Sequence, residues 1–289
     1  MRQRRLLLII IIAFSVTLFF AVCEGATSYI AIYGDSRLNS DIHAKIVEEI
    51  MKYKPQAVFH TGDLVTGNRE EWKIFNKITK KMRRKTSFYP AIGNHEYYAG
   101  LNSYLDNFKL PNNEQWYSVD RLGIHFIILN SMARIHKGSA QYTWLEDDLR
   151  NIGDNVKYIV VIFHHPPFGS HYGAVGKFKP LRTDLVPLLK KYGVDIVFNG
   201  HTHAYERCYY NGVYYVTTGG GGADLHHQTR TSPQSQKFIP THHFILLHYM
   251  GDVLVVEARD IDSNIIDAFR IRPKLYTTPL TQGVPLPVD

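Results

Sequence analysis

Cysteine is scarce in this sequence, and its scarcity limits how the fold can be stabilised. The 289 residues include only two cysteines, Cys23 and Cys208. Cys23 ends an N-terminal segment that we expect to be removed, which would leave one thiol and no partner for an intramolecular disulfide. A disulfide framework is thereby excluded. The chain must depend on a packed interior, for which its length is ample.

The sequence also lacks a strong excess of charge of one sign. It has 33 Lys and Arg against 26 Asp and Glu, a formal net charge of +7. Without the three N-terminal arginines the balance is 30 against 26. This mild basicity can attract anions but does not form the dense basic face that nucleic acid requires. The one basic run, at 80–85, is interpreted as a solvated helix end, and no nucleic-acid partner is expected.

The N-terminus has the pattern of an export segment. Arg2, Arg4 and Arg5 precede an apolar run from Leu6 to Val22 that only Ser15 and Thr17 interrupt. Such a pattern is typical of a secretion signal, although the run is nearly long enough to span a membrane. We expect residues 1–23 to be a signal peptide. An uncleaved N-terminal membrane anchor is the alternative, and lipidation of Cys23 is a third interpretation. Each places the domain outside the cytoplasm, as a periplasmic, secreted or membrane-anchored protein.

Apolar runs and helical patterns alternate along the chain and then give way to three consecutive strands. Apolar runs predict strands at 28–34, 57–62, 88–93, 123–129, 158–163, 194–198 and 213–217. Helices are predicted at 42–50, 69–82, 140–151 and 185–192, and a long polar loop at 223–240. Strands at 244–249, 253–258 and 265–271 are separated by turn residues that indicate antiparallel hairpins. The pattern predicts one α/β domain over 28–272, with two mixed β-sheets packed face to face and flanked by helices. Residues 273–289 are expected to be an extended tail.

Five of the loops that follow apolar strands carry side chains typical of metal ligands. They are Gly34-Asp35-Ser36-Arg37, Gly62-Asp63-Leu64-Val65, Gly93-Asn94-His95-Glu96, His164-His165-Pro166-Pro167 and Gly200-His201-Thr202-His203. Any one of them alone is weak evidence, but five in sequence are not expected by chance. Loops at the carboxyl ends of strands are also where α/β sheets bind their ligands.

The residue types in these loops indicate the chemistry. Aspartate oxygens and histidine nitrogens together suit Zn, Mn or Fe, and the absence of cysteine argues against a structural zinc site. Two such ions about 3.5–4 Å apart hold a hydroxide in line with a phosphoryl group and neutralise its attacking and leaving oxygens. Glycine before a ligand allows a sharp turn and the close approach of a phosphate. The loops therefore predict a two-metal centre for phosphoryl chemistry.

The ordered motifs resemble those of the calcineurin-like metallophosphoesterase superfamily. The segment Gly-His-Thr-His-Ala-Tyr-Glu-Arg at 200–207 is most similar to its purple acid phosphatase branch. The resemblance extends over residues 28–272. It implies a four-layer sandwich and an enzyme that hydrolyses small phosphate esters, phosphomonoesters foremost, by attack of a metal-bridging hydroxide. It also implies two divalent or mixed-valence ions of Fe, Zn or Mn.

The resemblance also implies roles for individual residues. The metal ligands that it implies are Asp35, Asp63, Asn94, His164, His201 and His203. Asp63 would bridge both ions, with Asp35 and His203 completing the first site and the other three completing the second. His95 would contact the substrate phosphate and assist the leaving group. His165 remains an alternative to His164, because only the spacing to the following proline distinguishes them.

Two departures from the family pattern concern the first metal. Many members have a histidine two residues after the first aspartate, where this chain has Arg37. Three interpretations of Arg37 stay open: it points away to a carboxylate, it binds a substrate phosphate, or its guanidinium replaces one metal. The purple enzymes have a tyrosine three residues after the second aspartate, and Thr66 stands there instead. We therefore predict no purple charge-transfer colour.

Two further histidine groups need an interpretation. His171 lies on a loop where relatives present a substrate-facing histidine, so it joins His95 and Arg37 as a catalytic and substrate-binding candidate. The pairs His226–His227 and His242–His243 are expected to belong to a rim loop and a strand start, not to another metal site.

Two other functions stay open at this point. A nucleotide phosphodiesterase or nuclease would use the same metal ligands. A catalytically impaired phosphate-binding module is favoured only by Arg37. The oligomeric state is not predicted.

Overall fold

The computed structural model describes residues 27–172 and 179–274, and within them thirteen strands form two mixed sheets. The strands of the first sheet are β1 (Ile30–Tyr33), β2 (Ala57–His60), β3 (Ser87–Pro90), β11 (His243–Met250), β12 (Val253–Asp260) and β13 (Ile265–Ile271). The strands of the second are β4 (Tyr117–Arg121), β5 (Ile124–Ile128), β6 (Tyr158–Ile162), β7 (Ile196–Asn199), β8 (Tyr205–Tyr210), β9 (Val213–Thr218) and β10 (Ser235–Ile239). The strand orders are β13-β12-β11-β1-β2-β3 and β10-β8-β9-β7-β6-β5-β4.

The helices lie between the strands, and the longer ones, α1, α2 and α5, begin at side-chain caps. They are α1 (Ser40–Lys52), α2 (Arg69–Lys85), α3 (Asn94–Tyr98), α4 (Asn102–Asn107), α5 (Ala140–Arg150) and α6 (Val186–Lys191), with a π-helical turn at Leu181–Leu185. The side chain of Asn39 accepts the N–H of Ile42 at 3.2 Å to begin α1. Asn68 caps α2 in the same way, with its oxygen 2.9 Å from the N–H of Glu71. Both caps satisfy amides that have no partner inside the helix.

Alternating side chains of each inner strand divide between two apolar interiors. Ile30 and Ile32 belong to the core between the sheets, where Phe59 and Phe126 stack with ring centroids 4.1 Å apart. Tyr33, of the opposite parity, packs with α1 residues on the outer face of the first sheet. Residues of α5 and α6 cover the outer face of the second sheet. Period-two alternation explains this division, and the predicted architecture of two mixed sheets flanked by helices is confirmed.

Strand direction determines which loops can meet. β1, β2 and β3 are mutually parallel, so the loops after them leave the first sheet at one edge. β5, β6, β7 and β9 are also parallel, and the loops after β6 and β7 leave the second sheet together. A backbone hydrogen bond of 3.0 Å from Asp35 to Gly62 joins the first two loops. Another, of 2.9 Å from Gly200 to His164, joins the loops of the second sheet.

The prediction of one long loop at 223–240 is wrong at its C-terminal end. Residues Ser235–Ile239 form β10, which pairs only with β8 at the edge of the second sheet. β4 is also an edge strand that the apolar pattern did not indicate. The sequences of β4 and β10 are rich in polar residues, so they lack the apolar run by which the other strands were recognised.

Two predictions lie outside the described residues. The signal peptide or anchor expected at 1–23 is one, and the tail beyond 274 is the other. Among the helices that the structure describes, none combines the length and the apolar character needed to traverse a bilayer.

Candidate metal centre

Four of the predicted ligands converge on a single point between the two sheets. The Oδ1 atom of Asn94 lies 3.0 Å from Nε2 of His164 and 2.9 Å from Nδ1 of His201. Oδ1 of Asp63 is 3.4 Å from the same Nε2 atom. Nδ1 of His164 is 3.0 Å from the carbonyl of Thr61, which fixes the direction of Nε2 into the cluster. Burial lowers the pKa of His164, but Asp63 and Asp35 outweigh it and raise that pKa to about 9, and a metal ion at Nε2 would displace the proton held there. This set of oxygen and nitrogen donors fits a Zn, Mn or Fe ion.

His165, the alternative to His164, lies beside this cluster with a different partner. Its Nδ1 is 2.8 Å from the hydroxyl of Ser131, and its ring centroid is 4.5 Å from that of His201. The ring nitrogens of the three imidazoles, His164, His165 and His201, lie within 4.8 Å of one another. It is His164, however, whose Nε2 approaches both Asn94 and Asp63.

The remaining predicted ligands, Asp35 and His203, face Arg37. Asp35 accepts the backbone N–H of His201 with both carboxylate oxygens, at 3.1 and 3.0 Å, and its Oδ1 is 3.5 Å from Nε2 of His203. His203 donates from Nδ1 to the carbonyl of Asp224 at 2.7 Å, which leaves its Nε2 as an acceptor. That Nε2 is 3.3 Å from Nη2 of Arg37, whose Nε is 3.4 Å from Oδ2 of Asp63.

The buried carboxyl groups of the centre would be stabilised by a bound cation. Burial raises the pKa of Asp35 to about 8, more than the nearby His164 and Arg37 lower it. Burial also lowers the pKa values of His201 and His203 to about 3, so both are neutral and able to bind a metal. A buried carboxylate beside neutral imidazoles is stabilised by a metal ion, which supplies the charge that burial withholds. The residues present therefore fit the metal that the motifs predict.

Three of the predicted ligand residues have an unusual backbone conformation. Asp35, Asp63 and His201 have φ angles of +57°, +57° and +68°, in the left-handed region. Such conformations cost about 1–3 kcal/mol each and persist only where surrounding structure imposes them. Gly93, which precedes the predicted ligand Asn94, is required for a steric reason. A Cβ atom on Gly93 would lie 2.1 Å from Oδ1 of Asp63. Gly93 is needed because the ligand packs against its bare Cα.

Glu96 holds two of the ligand loops together. Its Oε2 accepts the N–H groups of Asp63 at 3.0 Å and Gly93 at 2.9 Å, and its Oε1 accepts that of Val65 at 3.1 Å. The side chain is fully buried. The sequence placed Glu96 in the Asn-His-Glu motif but did not indicate this role, because two of its three partners, Asp63 and Val65, are 33 and 31 residues away.

A cavity of about 130 Å³ opens over the centre. Its lining residues are Arg37, Asp63, Asn94, His95, His171, His201, His203 and His226. His95 donates its backbone N–H to Oδ1 of Asp63 at 3.0 Å, and its imidazole Nε2 lies 3.8 Å from Oδ2 of the same residue. The cavity thus brings together the three substrate-binding candidates, His95, Arg37 and His171.

His226 is a cavity residue that the sequence did not identify. Its ring stacks on His203 with centroids 4.0 Å apart, and on its other side the centroid of His171 lies 4.3 Å away. Nδ1 of His171 is 3.1 Å from the carbonyl of His227. The polar loop that contains His226 has no periodic pattern, so nothing in the sequence indicated this contact.

Thr66 hydrogen-bonds to Glu71 through its backbone N–H and its hydroxyl.

Comparisons with known proteins agree with this fold and these motifs. The family model described as calcineurin-like phosphoesterase matches residues 30–205. Purple acid phosphatase 23 of Arabidopsis thaliana is 30% identical over an alignment of 242 residues, and the match covers 67% of this chain and 52% of that protein. Purple acid phosphatase PPD1 from yellow lupin (Lupinus luteus) seeds aligns with a TM-score of 0.76 and 25% identity, over 85% of this chain and 54% of that one. GAP50, the anchor in the inner membrane complex of Plasmodium, aligns over 87% of this chain and 90% of its own, with a TM-score of 0.74. At 16% identity it shows a common fold alone.

The matches cover only part of the longer relatives. The chain spans 52%, 32% and 41% of the first three curated relatives. The predicted resemblance to the calcineurin-like phosphoesterases is confirmed. The chain belongs to the calcineurin-like phosphoesterase family, in the branch of the purple acid phosphatases.

Proposed function

We propose that this protein hydrolyses phosphate esters, phosphomonoesters foremost, at a metal centre formed by Asp63, Asn94, His164 and His201. The observation that carries the proposal is the convergence of their donor atoms beneath a cavity. Nε2 of His164 lies within 3.4 Å of Oδ1 of Asn94 and of Oδ1 of Asp63, and Nδ1 of His201 lies 2.9 Å from Oδ1 of Asn94. When bound there, a divalent ion supplies Lewis acidity and lowers the pKa of water toward neutrality. The sequence predicts a second ion at Asp35, Asp63 and His203.

The side chains of the cavity supply phosphate binding and proton transfer. The guanidinium of Arg37 presents N–H donors to phosphoryl oxygens, in a planar geometry that suits them. His95 lines the same cavity, where its imidazole assists departure of the leaving group, a contribution of about 10²–10⁴-fold in comparable enzymes. His171 borders the cavity through its stack with His226 and contacts the substrate outside the phosphoryl group.

The size of the cavity supports a small substrate. A volume of about 130 Å³ equals that of roughly four water molecules at about 30 Å³ each. This space suits a phosphoryl group with its few oxygens and leaves the remainder of the ester in solvent. An extended polynucleotide would need a basic groove, and the sequence has no large excess of basic residues outside its N-terminus.

Two substrates and three metals test the proposal. Purified protein is stripped with chelator, supplied with Mn, Zn or Fe, and assayed against p-nitrophenyl phosphate and its bis-ester. We expect faster cleavage of the monoester, and loss of activity in Asp63→Ala and His201→Ala but not in the control Asp154→Ala, whose side chain is exposed. Faster cleavage of the bis-ester would indicate a phosphodiesterase instead. Phosphate binding without turnover would indicate a binding module.

We also propose that the domain over residues 28–272 acts outside the cytoplasm after loss of residues 1–23. The support is the charged start and apolar run of the N-terminus. N-terminal sequencing of protein recovered from the extracytoplasmic fraction should begin after Cys23. An intact N-terminus in a membrane fraction would indicate the anchor, and an intact N-terminus in the cytoplasm would contradict export.

A further inference from the structure

Arg37 lies inside the centre and contacts two of the three residues expected to bind the first ion. Its Nη2 is 3.3 Å from Nε2 of His203, and its Nε is 3.4 Å from Oδ2 of Asp63. The side chain is only 13% exposed. A metal ion binds such nitrogen and oxygen atoms at about 2.0–2.2 Å. Because the guanidinium already contacts both atoms, an ion cannot occupy that position while Arg37 stays there.

Hydrogen bonds on either side of Arg37 fix its backbone beside the Asp63 loop. The N–H of Ser36 donates to the carbonyl of Asp63 at 3.1 Å, and its hydroxyl donates to the carbonyl of Leu64 at 3.1 Å. The carbonyl of Arg37 accepts the N–H of Asn39 at 3.0 Å. The loop is thus attached to the Asp63 loop immediately before Arg37 and turns immediately after it.

We propose that the guanidinium of Arg37 takes the place of the second metal, so that the centre binds one ion, at Asp63, Asn94, His164 and His201. The inference concerns the metal content of the site whose activity was proposed above. The catalytic role of Arg37 rests on that proposed function, but the number of ions bound per chain does not.

Charge balance supports one ion. The two buried carboxylates, Asp35 and Asp63, contribute a charge of −2 when ionised, and one divalent ion with Arg37 contributes +3. A second ion beside an unmoved Arg37 would raise this to +5 within the same buried volume. Arginine cannot relieve the repulsion by losing a proton, because its pKa exceeds about 12. In the one-ion centre Asp35 does not bind a metal, and its carboxylate instead accepts the backbone N–H of His201 and holds that ligand in position.

The donor geometry of Arg37 also suits the task of a second ion. In two-metal phosphoesterases the paired cations neutralise both the attacking and the leaving oxygens. A guanidinium provides a permanent positive charge and several N–H donors with fixed directions. Arg37 lines the same cavity as Asp63, Asn94 and His201, so a phosphoryl group bound there would contact both cations.

Manganese stoichiometry tests the inference directly. Chelator-stripped wild-type protein is titrated with Mn²⁺ by calorimetry, and bound metal is counted after gel filtration. We expect one ion per chain in the wild type and in Arg37→Lys, which keeps the positive charge. We expect two in Arg37→His, which exchanges the guanidinium for a ligand. Electron paramagnetic resonance should show an isolated Mn²⁺ ion in the wild type and an exchange-coupled pair in Arg37→His.

Each outcome decides the inference independently of activity. Two ions in the wild type, with an exchange-coupled spectrum, overturn it even if Arg37→His fails to fold. One ion in both wild type and folded Arg37→His also overturns it, because Arg37 would then not be what excludes the second ion. Wild type that binds one Mn²⁺ but does not hydrolyse p-nitrophenyl phosphate overturns the proposed function and leaves the inference standing.

Discussion

Gly93 precedes the predicted ligand Asn94 and packs against Asp63, a predicted ligand on another loop. The Gly93→Ala substitution measures how closely these two loops must pack. A Cβ atom at this position would be 2.1 Å from Oδ1 and 2.3 Å from the backbone nitrogen of Asp63. The φ angle of Gly93 is −94°, which alanine adopts freely. Any effect is therefore steric. Because one of the two clashes is with backbone, a rotation of the Asp63 side chain cannot remove it.

The size of the effect follows from these distances. Non-bonded heavy atoms prefer separations of about 3.5 Å, so Asp63 must move by about 1 Å or more. A displacement of about 1 Å in a catalytic group costs about 10²-fold in rate. We expect kcat/KM for p-nitrophenyl phosphate to fall about 100-fold, which corresponds to about 2.7 kcal/mol. Overpacking should also lower the free energy of unfolding by about 1–3 kcal/mol.

The matched control is Gly153→Ala. A Cβ atom there meets only Oδ1 of Asn155, at 2.9 Å, and that amide is the end of an exposed side chain that can move. Steady-state kinetics and urea denaturation on both variants separate local from general effects. The reasoning is refuted if Gly93→Ala keeps kcat/KM and Mn²⁺ affinity within threefold of the wild type.

Four further predictions concern other parts of the molecule. Glu96→Ala should lower the free energy of unfolding by about 3 kcal/mol or more, because three buried N–H groups lose their acceptor; a change below about 1 kcal/mol in urea denaturation would contradict this. Burial lowers the pKa of His125, but hydrogen bonds to Asp148 and Asp120 outweigh it and raise that pKa above the usual value. The stabilisation is therefore complete below about pH 6.5 and is lost as pH rises through the folded-state pKa. Relative to His125→Gln, the wild type should gain about 1–3 kcal/mol more unfolding free energy at pH 5.5 than at pH 9, and a constant gap would count against it. Chelation with EDTA should abolish hydrolysis and lower Tm in a manner reversed by Mn²⁺, as linkage requires; an unchanged Tm would argue against metal binding to the folded state. Iron-loaded protein should lack a purple absorption band, since Thr66 has no phenolate to donate charge, and a visible band of that kind would disprove the expectation.

The interior strands were predictable because burial on both faces leaves a clear pattern. Residues 158–163 form a continuous apolar run, and β6 lies there with every side chain buried. β10 was not predicted because Ser235–Ile239 lies at a sheet edge, half exposed, with two polar residues and a lysine among its five. Its position depends on pairing with β8, a contact between segments about 30 residues apart.

The metal-type loops were predicted to meet because their strands are parallel and end at the same edge, and that much depends on sequence order alone. Direct contacts within the centre depended on the fold. Glu96 receives hydrogen bonds from Asp63 and Val65, more than 30 residues earlier. His226 reaches His203 from a loop without any recognisable pattern. Neither contact has a local signature, since each arises from how separate loops pack.

The sequence by itself indicated the residue types of the predicted ligands and the five loops that carry them, and it argued against cysteine ligands. These features depend on residue chemistry and strand periodicity. It left three interpretations of Arg37 open. The tertiary structure places the guanidinium against His203, 166 residues away, and against Asp63. A long side chain with many rotamers has no direction that its own sequence neighbours can specify. Only the packing of the loops from both sheets directs Arg37 into the centre.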